Sequence, residues 1–134
     1  MKCNALLMLI LHKLLFAEIS EEKNSYIEEI KRFILNNYTN SITVKQIARH
    51  VKLDPTYCGA LFIKDQNQTI SDFITNIRIN QAKALLVSGS LISEVADLTG
   101  FSNVHYFSNV FKKIVGVSPS TFKNANTRKT VDNT

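Results

Sequence analysis

Cysteine is scarce in this chain, with only Cys3 and Cys58 present. Two such distant residues build no disulfide framework, and neither belongs to a CxxC pair or lies near a histidine pair with zinc-ligand spacing. A reducing cytoplasm is the compartment this usage implies. No apolar run is long enough to span a bilayer: "ALLMLIL", Ala5 to Leu11, is interrupted by His12 and Lys13. No small-residue cleavage site follows it, which argues against a secretory leader. Alternating apolar and polar runs joined by hairpin turns are missing, so the main signal for a sheet is absent. Also missing are a nucleophile with its base, paired carboxylates, a phosphate-cradling glycine loop and a metal cluster. The expectation is a protein that is not an enzyme, uses no metal or cofactor and does not enter a membrane.

The 134 residues, 45% hydrophobic and 20% charged, suffice for one or two small cores. The formal net charge is +5, and its placement is uneven. Residues 1–40 hold five basic groups (Lys2, Lys13, Lys23, Lys31, Arg32) and five acidic ones (Glu18, Glu21, Glu22, Glu28, Glu29). Residues 41–134 hold 11 Lys or Arg against 6 Asp or Glu, so the whole excess lies there and favours a polyanionic partner.

Apolar residues recur at helical spacing nearly throughout. Segment 22–38 places Tyr26, Ile27, Ile30, Phe33 and Ile34 on one side, with acidic residues early and basic ones later, as the helix dipole prefers. Thr43 with Gln46 three residues on forms a capping-box pattern, and Pro55 suits the first turn of the next helix. Segment 69–88 predicts a long helix carrying Ile70, Phe73, Ile74, Ile77, Ala82, Leu85 and Leu86, closed by Gly89. Residues 126–134 have little to bury and are expected to form a mobile tail.

An internal repeat organises these helices. Ile47-Ala48 recurs as Val95-Ala96 and Leu53 as Phe101, each displaced by 48 positions. After a one-residue insertion the displacement is 49, matching Phe62 to Phe111, Asn67 to Gly116, Thr69 to Ser118 and Phe73 to Phe122. Alanine permits close helix approach, Asn or Gly tolerates a left-handed cap, and Thr or Ser caps the following helix. The repeat predicts two similar helix-turn-helix units, at about 43–65 and 92–114.

In the second unit Val104, Phe107, Val110, Phe111 and Ile114 form a core stripe. His105, Ser108, Asn109, Lys112 and Lys113 are left largely outside. Uncharged donors and acceptors early in a helix suit base edges in a major groove, and lysines at its end suit phosphates.

At these residues the chain resembles the AraC/XylS transcription regulators. Residues 22–125 look like that family's DNA-binding region, and "ISEVADLTGFSNVHYFSNVFKKIVGVSPSTFK" resembles its signature almost position by position. The matching positions include Ile92, Glu94, Ala96, Gly100, Phe101, Tyr106 to Ser108, Phe111, Lys112, Gly116, Pro119 and Phe122. The resemblance implies an all-α, homeodomain-like fold over 20–125 with two helix-turn-helix subdomains on a linker helix, in which Arg78, Ala82, Leu85 and Leu86 follow the linker pattern. It also implies that the helices at about 55–65 and 103–114 enter successive major grooves on one face of double-stranded DNA.

Departures from the family pattern fall on the reading positions. Gly59 and Ala60 stand where the family commonly has a polar residue and an arginine, and Ile63 stands where it has lysine. In the second unit Asn109 replaces another arginine, and Leu91 replaces the Ser cap that pairs with Glu94. The expected base contacts are Thr56 and Ala60 from the first unit, through thymine methyl groups, and Val104, His105, Ser108 and Asn109 from the second. Val104 is expected both in the stripe and at the reading edge. The expected phosphate contacts are Lys45, Arg49, Lys52, Lys64, Lys112 and Lys113, with Tyr57 helping to position the backbone. His50 and His12 read as ordinary surface or packing residues, and Cys58 as core.

Residues 1–19 lie outside the resemblance. "NALLMLILHKLLFAEI" reads as an apolar helix, either the remnant of a preceding domain or a segment through which the chain forms a homodimer. A second reading stays open: an interaction module that contacts RNA polymerase or a partner regulator and binds DNA weakly.

Overall fold

The computed structural model describes residues 22–132, all helix and connecting turns. The expected apolar helix of residues 1–19, with its dimerisation role, lies outside that range, as do residues 133–134. The helices are α1 over 22–37, α2 Val44–Val51, α3 Pro55–Gln66, α4 Ile70–Val87, α5 Ile92–Leu98, α6 Val104–Val115 and α7 Pro119–Asp132.

Local chemistry sets most of these boundaries. Thr43 Oγ1 accepts from Gln46 N at 3.2 Å, and Gln46 Oε1 accepts from Thr43 N at 3.0 Å, which closes the expected capping box on α2. Asp54 Oδ1 accepts from Thr56 N and Tyr57 N ahead of α3, where Pro55 opens the helix. Thr69 Oγ1 accepts from Asp72 N at 3.0 Å, and Ser118 Oγ accepts from Thr121 N at 3.2 Å. Helix α5 starts at Leu91 with no side-chain cap, as its replacement of a Ser implies.

Two apolar cores result, and α4 belongs to both. Ile27, Ile30, Ile34, Ile47, Ala48, Cys58, Phe62, Ile70 and Ile74 lie in the first core. Ile79, Ala82, Leu86, Val95, Ala96, Phe101, Phe107 and Phe111 lie in the second. The first half of α4 buries Ile70 and Ile74 with Phe73 and Ile77 beside them; its second half buries Ile79, Ala82 and Leu86. At about 100° per residue these two faces are roughly 140° apart, so α4 turns nearly opposite sides to its two partners. The switch falls at Arg78.

The repeat is visible in the packing. Phe62 and Phe73 meet edge-on at 5.3 Å and 68°, and their counterparts Phe111 and Phe122 meet at 5.5 Å and 70°. Asn67 and Gly116, matched by displacement, are both left-handed caps, at φ 56° and 98°. A third correspondence was not evident in the sequence: Ile27, Ile30 and Ile34 of α1 and Ile79, Ala82 and Leu86 of α4 have the same spacing and the same deep burial. The end of α4 therefore does for the second unit what α1 does for the first, and α7 takes the place of the start of α4.

One expectation needs correction. Val104 and Ile114 are not core residues: they are 37% and 45% exposed, because they sit at the two ends of α6, beyond the buried Phe107–Phe111 pair. The polar segment from residue 126, expected as a tail, continues α7 as helical backbone to Asp132. Asn126 Nδ2 donates to the Phe122 carbonyl and Thr127 Oγ1 to the Lys123 carbonyl, so these polar side chains fold back on the helix.

Candidate nucleic-acid interface

Helices α3 and α6 bury one side each and present the other. On α3 the buried residues are Cys58, Leu61 and Phe62; on α6 they are Phe107 and Phe111. Opposite them, at helical spacing, lie Thr56, Ala60 and Ile63 on α3, and His105, Asn109 and Lys112 on α6. All six are exposed. The displacement of 49 superposes the two stripes residue for residue: Thr56 on His105, Ala60 on Asn109, Ile63 on Lys112. It also aligns Tyr57 with Tyr106 and Lys64 with Lys113, all four exposed, so the flanks agree where the centres differ. Ile63 is 47% exposed, an apolar side chain at the position where the second unit has a lysine.

The remaining expected site residues are placed as follows. Val104, the first residue of α6, is accessible at the reading edge. Ser108 is half-buried toward the inner side of α6 and is the least presented of the expected base contacts. Lys112 and Lys113 are exposed in the last turn of α6, where cations also suit the helix dipole. Lys45 and Arg49 are exposed four residues apart on α2. Lys64 is exposed near the end of α3. Asn103 Oδ1 accepts from Tyr106 N at 2.7 Å and so fixes the start of α6.

Lys52 has a structural task that sequence reasoning missed. It is the left-handed residue after α2, at φ 61°, and its counterpart by a displacement of 48 is Gly100, at φ 89°. The turn thus needs the same conformation twice and meets it with glycine only in the second unit. The displacement of 48 in the sequence already carries that equivalence.

His50 turns away from this role: its Nε2 lies 3.2 Å from Glu29 Oε1 and its ring stacks near Phe33, with centroids 4.6 Å apart. Cys58 is fully buried, and desolvation pushes its thiol pKa up, away from the reactive thiolate. Among the described residues no group of three His, Cys, Asp or Glu is arranged to hold a metal, and no helix is long and apolar enough to cross a membrane.

The two exposed stripes belong to two similar units built on one shared helix, and comparison with known proteins shows the family to which the chain belongs. A family profile described as a helix-turn-helix domain matches residues 47–125. The Msm operon regulatory protein of Streptococcus mutans is 35% identical over 133 residues, covering 90% of this chain. The chain spans about half of that relative's length, 48%. The C-terminal domain of AraT, a response regulator from Geobacillus stearothermophilus, superposes with a TM-score of 0.72 at 26% identity, covering 75% of this chain and 84% of that domain. The DNA-binding domain of AdpA, solved with a target DNA, shares the fold with a TM-score of 0.73 at 19% identity, covering 77% of this chain and 94% of that one. The chain belongs to the AraC/XylS-type helix-turn-helix family of DNA-binding transcription regulators.

Proposed function

We propose that this chain regulates transcription in the cytoplasm by inserting α3 and α6 into successive major grooves of double-stranded DNA, with α6 supplying most of the sequence discrimination. The observation that carries this reading is the superposition of the two outer stripes. One offers His105 and Asn109 to bases and Lys112 to a phosphate, while the other offers Thr56, Ala60 and Ile63. An amide at Asn109 can pair with both hydrogen-bonding groups of adenine's major-groove edge; Thr56 and Ala60 offer methyl groups to thymine. His105, Ser108 and Val104 complete the second reading edge. Lys45, Arg49, Lys52, Lys64, Lys112 and Lys113 hold phosphates and set the register. No step of this activity is catalytic, and none calls for a metal or cofactor.

The geometry of α4 supports the two-groove arrangement. Its 18 residues rise about 27 Å, the same order as the roughly 34 Å of one DNA turn. The test is the pair Asn109→Ala and Ala60→Arg. Asn109→Ala should cost about 1–3 kcal/mol and relax the preference at one base position. Ala60→Arg should raise affinity in the other half-site. Unchanged base preference at every position in Asn109→Ala would remove α6 from its assigned role.

A further inference from the structure

The two readers are useful together only at one mutual angle, and that angle depends on how the two units meet around α4. They meet at the switch between its two buried faces, where Arg78 sits between Ile77 of the first core and Ile79 of the second. Arg78 Nε donates to the Tyr38 carbonyl at 2.8 Å and its Nη2 to the Asn40 carbonyl at 3.0 Å. Both carbonyls belong to the α1–α2 turn of the first unit. On its other side the guanidinium lies 5.9 Å from the centre of the Phe101 ring, which belongs to the second core. Phe101 in turn packs on α6 itself, 5.0 Å from Phe107 and 6.0 Å from Tyr106. Burial pulls the Arg78 pKa down and nearby Tyr106 pulls it up, yet an arginine keeps its proton in such a setting.

A second contact runs beside the first. A Cβ built on Gly100 would stand 2.6 Å from the Tyr38 carbonyl oxygen and 3.0 Å from Thr39 backbone atoms. The backbones of the two units therefore touch where only glycine fits. The turn that they share is also where the repeat fails: the connection from Ile34 to Thr43 is longer than its counterpart from Leu86 to Leu91. The additional length of the first unit supplies the carbonyls that Arg78 holds.

We infer that Arg78 is a positioning residue that locks the first unit's α1–α2 turn to Phe101 of the second, and so fixes the angle and spacing at which α3 and α6 meet DNA. This rests on the two-reader function proposed above, but half of its test needs no DNA. Spin labels at Asn36→Cys on α1 and Asn124→Cys on α7, both exposed positions, report the distance between units in a Cys3→Ser background, with buried Cys58 left unlabelled. The free wild-type chain should give one narrow distance distribution and Arg78→Ala a broader one. Arg78→Lys keeps the charge but cannot reach both carbonyls as a fork, and should fall between them.

On DNA, Arg78→Ala should lose about tenfold in affinity for a duplex carrying both half-sites, because the second contact is no longer pre-positioned. It should bind a duplex with one half-site as wild type does, and should accept half-site spacings that wild type rejects. Gly100→Ala should broaden the distribution as well. Gly116→Ala, equally strained at φ 98° but with no atom within 4 Å of its new Cβ, should not. If Arg78→Ala is too unstable to study, the two glycine variants decide the matter alone. An unchanged distance distribution in Arg78→Ala, equal losses on half-site and full duplexes, or equal effects of the two glycine variants would overturn the inference. Failure of the wild-type chain to bind any duplex would count against the proposed function and leave the distance measurement to judge the lock.

Discussion

Replacing Lys52 by glycine should make the chain more stable and a poorer DNA binder at the same time. At φ 61° the lysine occupies the left-handed region, which costs an L-residue about 1–2 kcal/mol. Glycine removes that cost but gives the unfolded chain more freedom, an offset of about 0.4–1 kcal/mol. The net gain is roughly 0–1.6 kcal/mol, and Gly100 at the equivalent turn shows that the backbone accepts glycine there. Urea unfolding should therefore move to a higher midpoint with an unchanged slope. If the Lys52 ammonium holds a phosphate, the dependence of log affinity on log salt should flatten by about 0.9. Lys52→Asn, which tolerates the left-handed conformation, should flatten the salt dependence with a smaller change in stability. A loss of stability in Lys52→Gly would refute the account of the turn, and an unchanged salt slope in both variants would refute the phosphate contact.

Lys112→Ala with Lys113→Ala should weaken binding to all duplexes by a similar factor and flatten the salt slope, while binding-site selection returns an unchanged sequence; a change in the selected bases would place these side chains on base edges instead. Phe111→Ala removes a fully buried ring packed against Phe107 and Phe122 and should cost about 3–5 kcal/mol in denaturant unfolding, and a cost below about 1 kcal/mol would contradict the second core. Cys58 should resist alkylation in the folded chain at neutral pH and react on unfolding, since its thiol is fully buried and its pKa is raised; rapid native-state labelling would show the first core to be open.

Much of the fold was legible because the protein uses one supersecondary unit twice, and local signals mark the same places in each copy. Thr43 with Gln46, Pro55, Asn67, Thr69, Gly116 and Ser118 all cap or turn the chain as their types require. The outer residues of α6 followed from helical spacing, whereas Thr56 and Ala60 of α3 were singled out only through the family resemblance. Less legible was how far a stripe stays covered: Val104 and Ile114 have the periodicity of core residues, but cover depends on where neighbouring helices end. The likeness of α1 to the second half of α4 was hidden because its displacement differs from that of the rest of the repeat. Arg78 was seen only as part of a family pattern. Its partners lie 38 and 40 residues away, on carbonyls that any residue type would supply. Backbone acceptors leave no trace in a sequence, so no reading of residue types could have found the lock.

Selection of bound duplexes from a random pool by the full chain tests the central claim most directly. The account predicts two blocks of preferred bases centred about one helical turn apart, with the block facing α6 richer in information and containing an adenine preference that Asn109→Ala abolishes. A single block, or two blocks equally informative and both indifferent to Asn109→Ala, would contradict it.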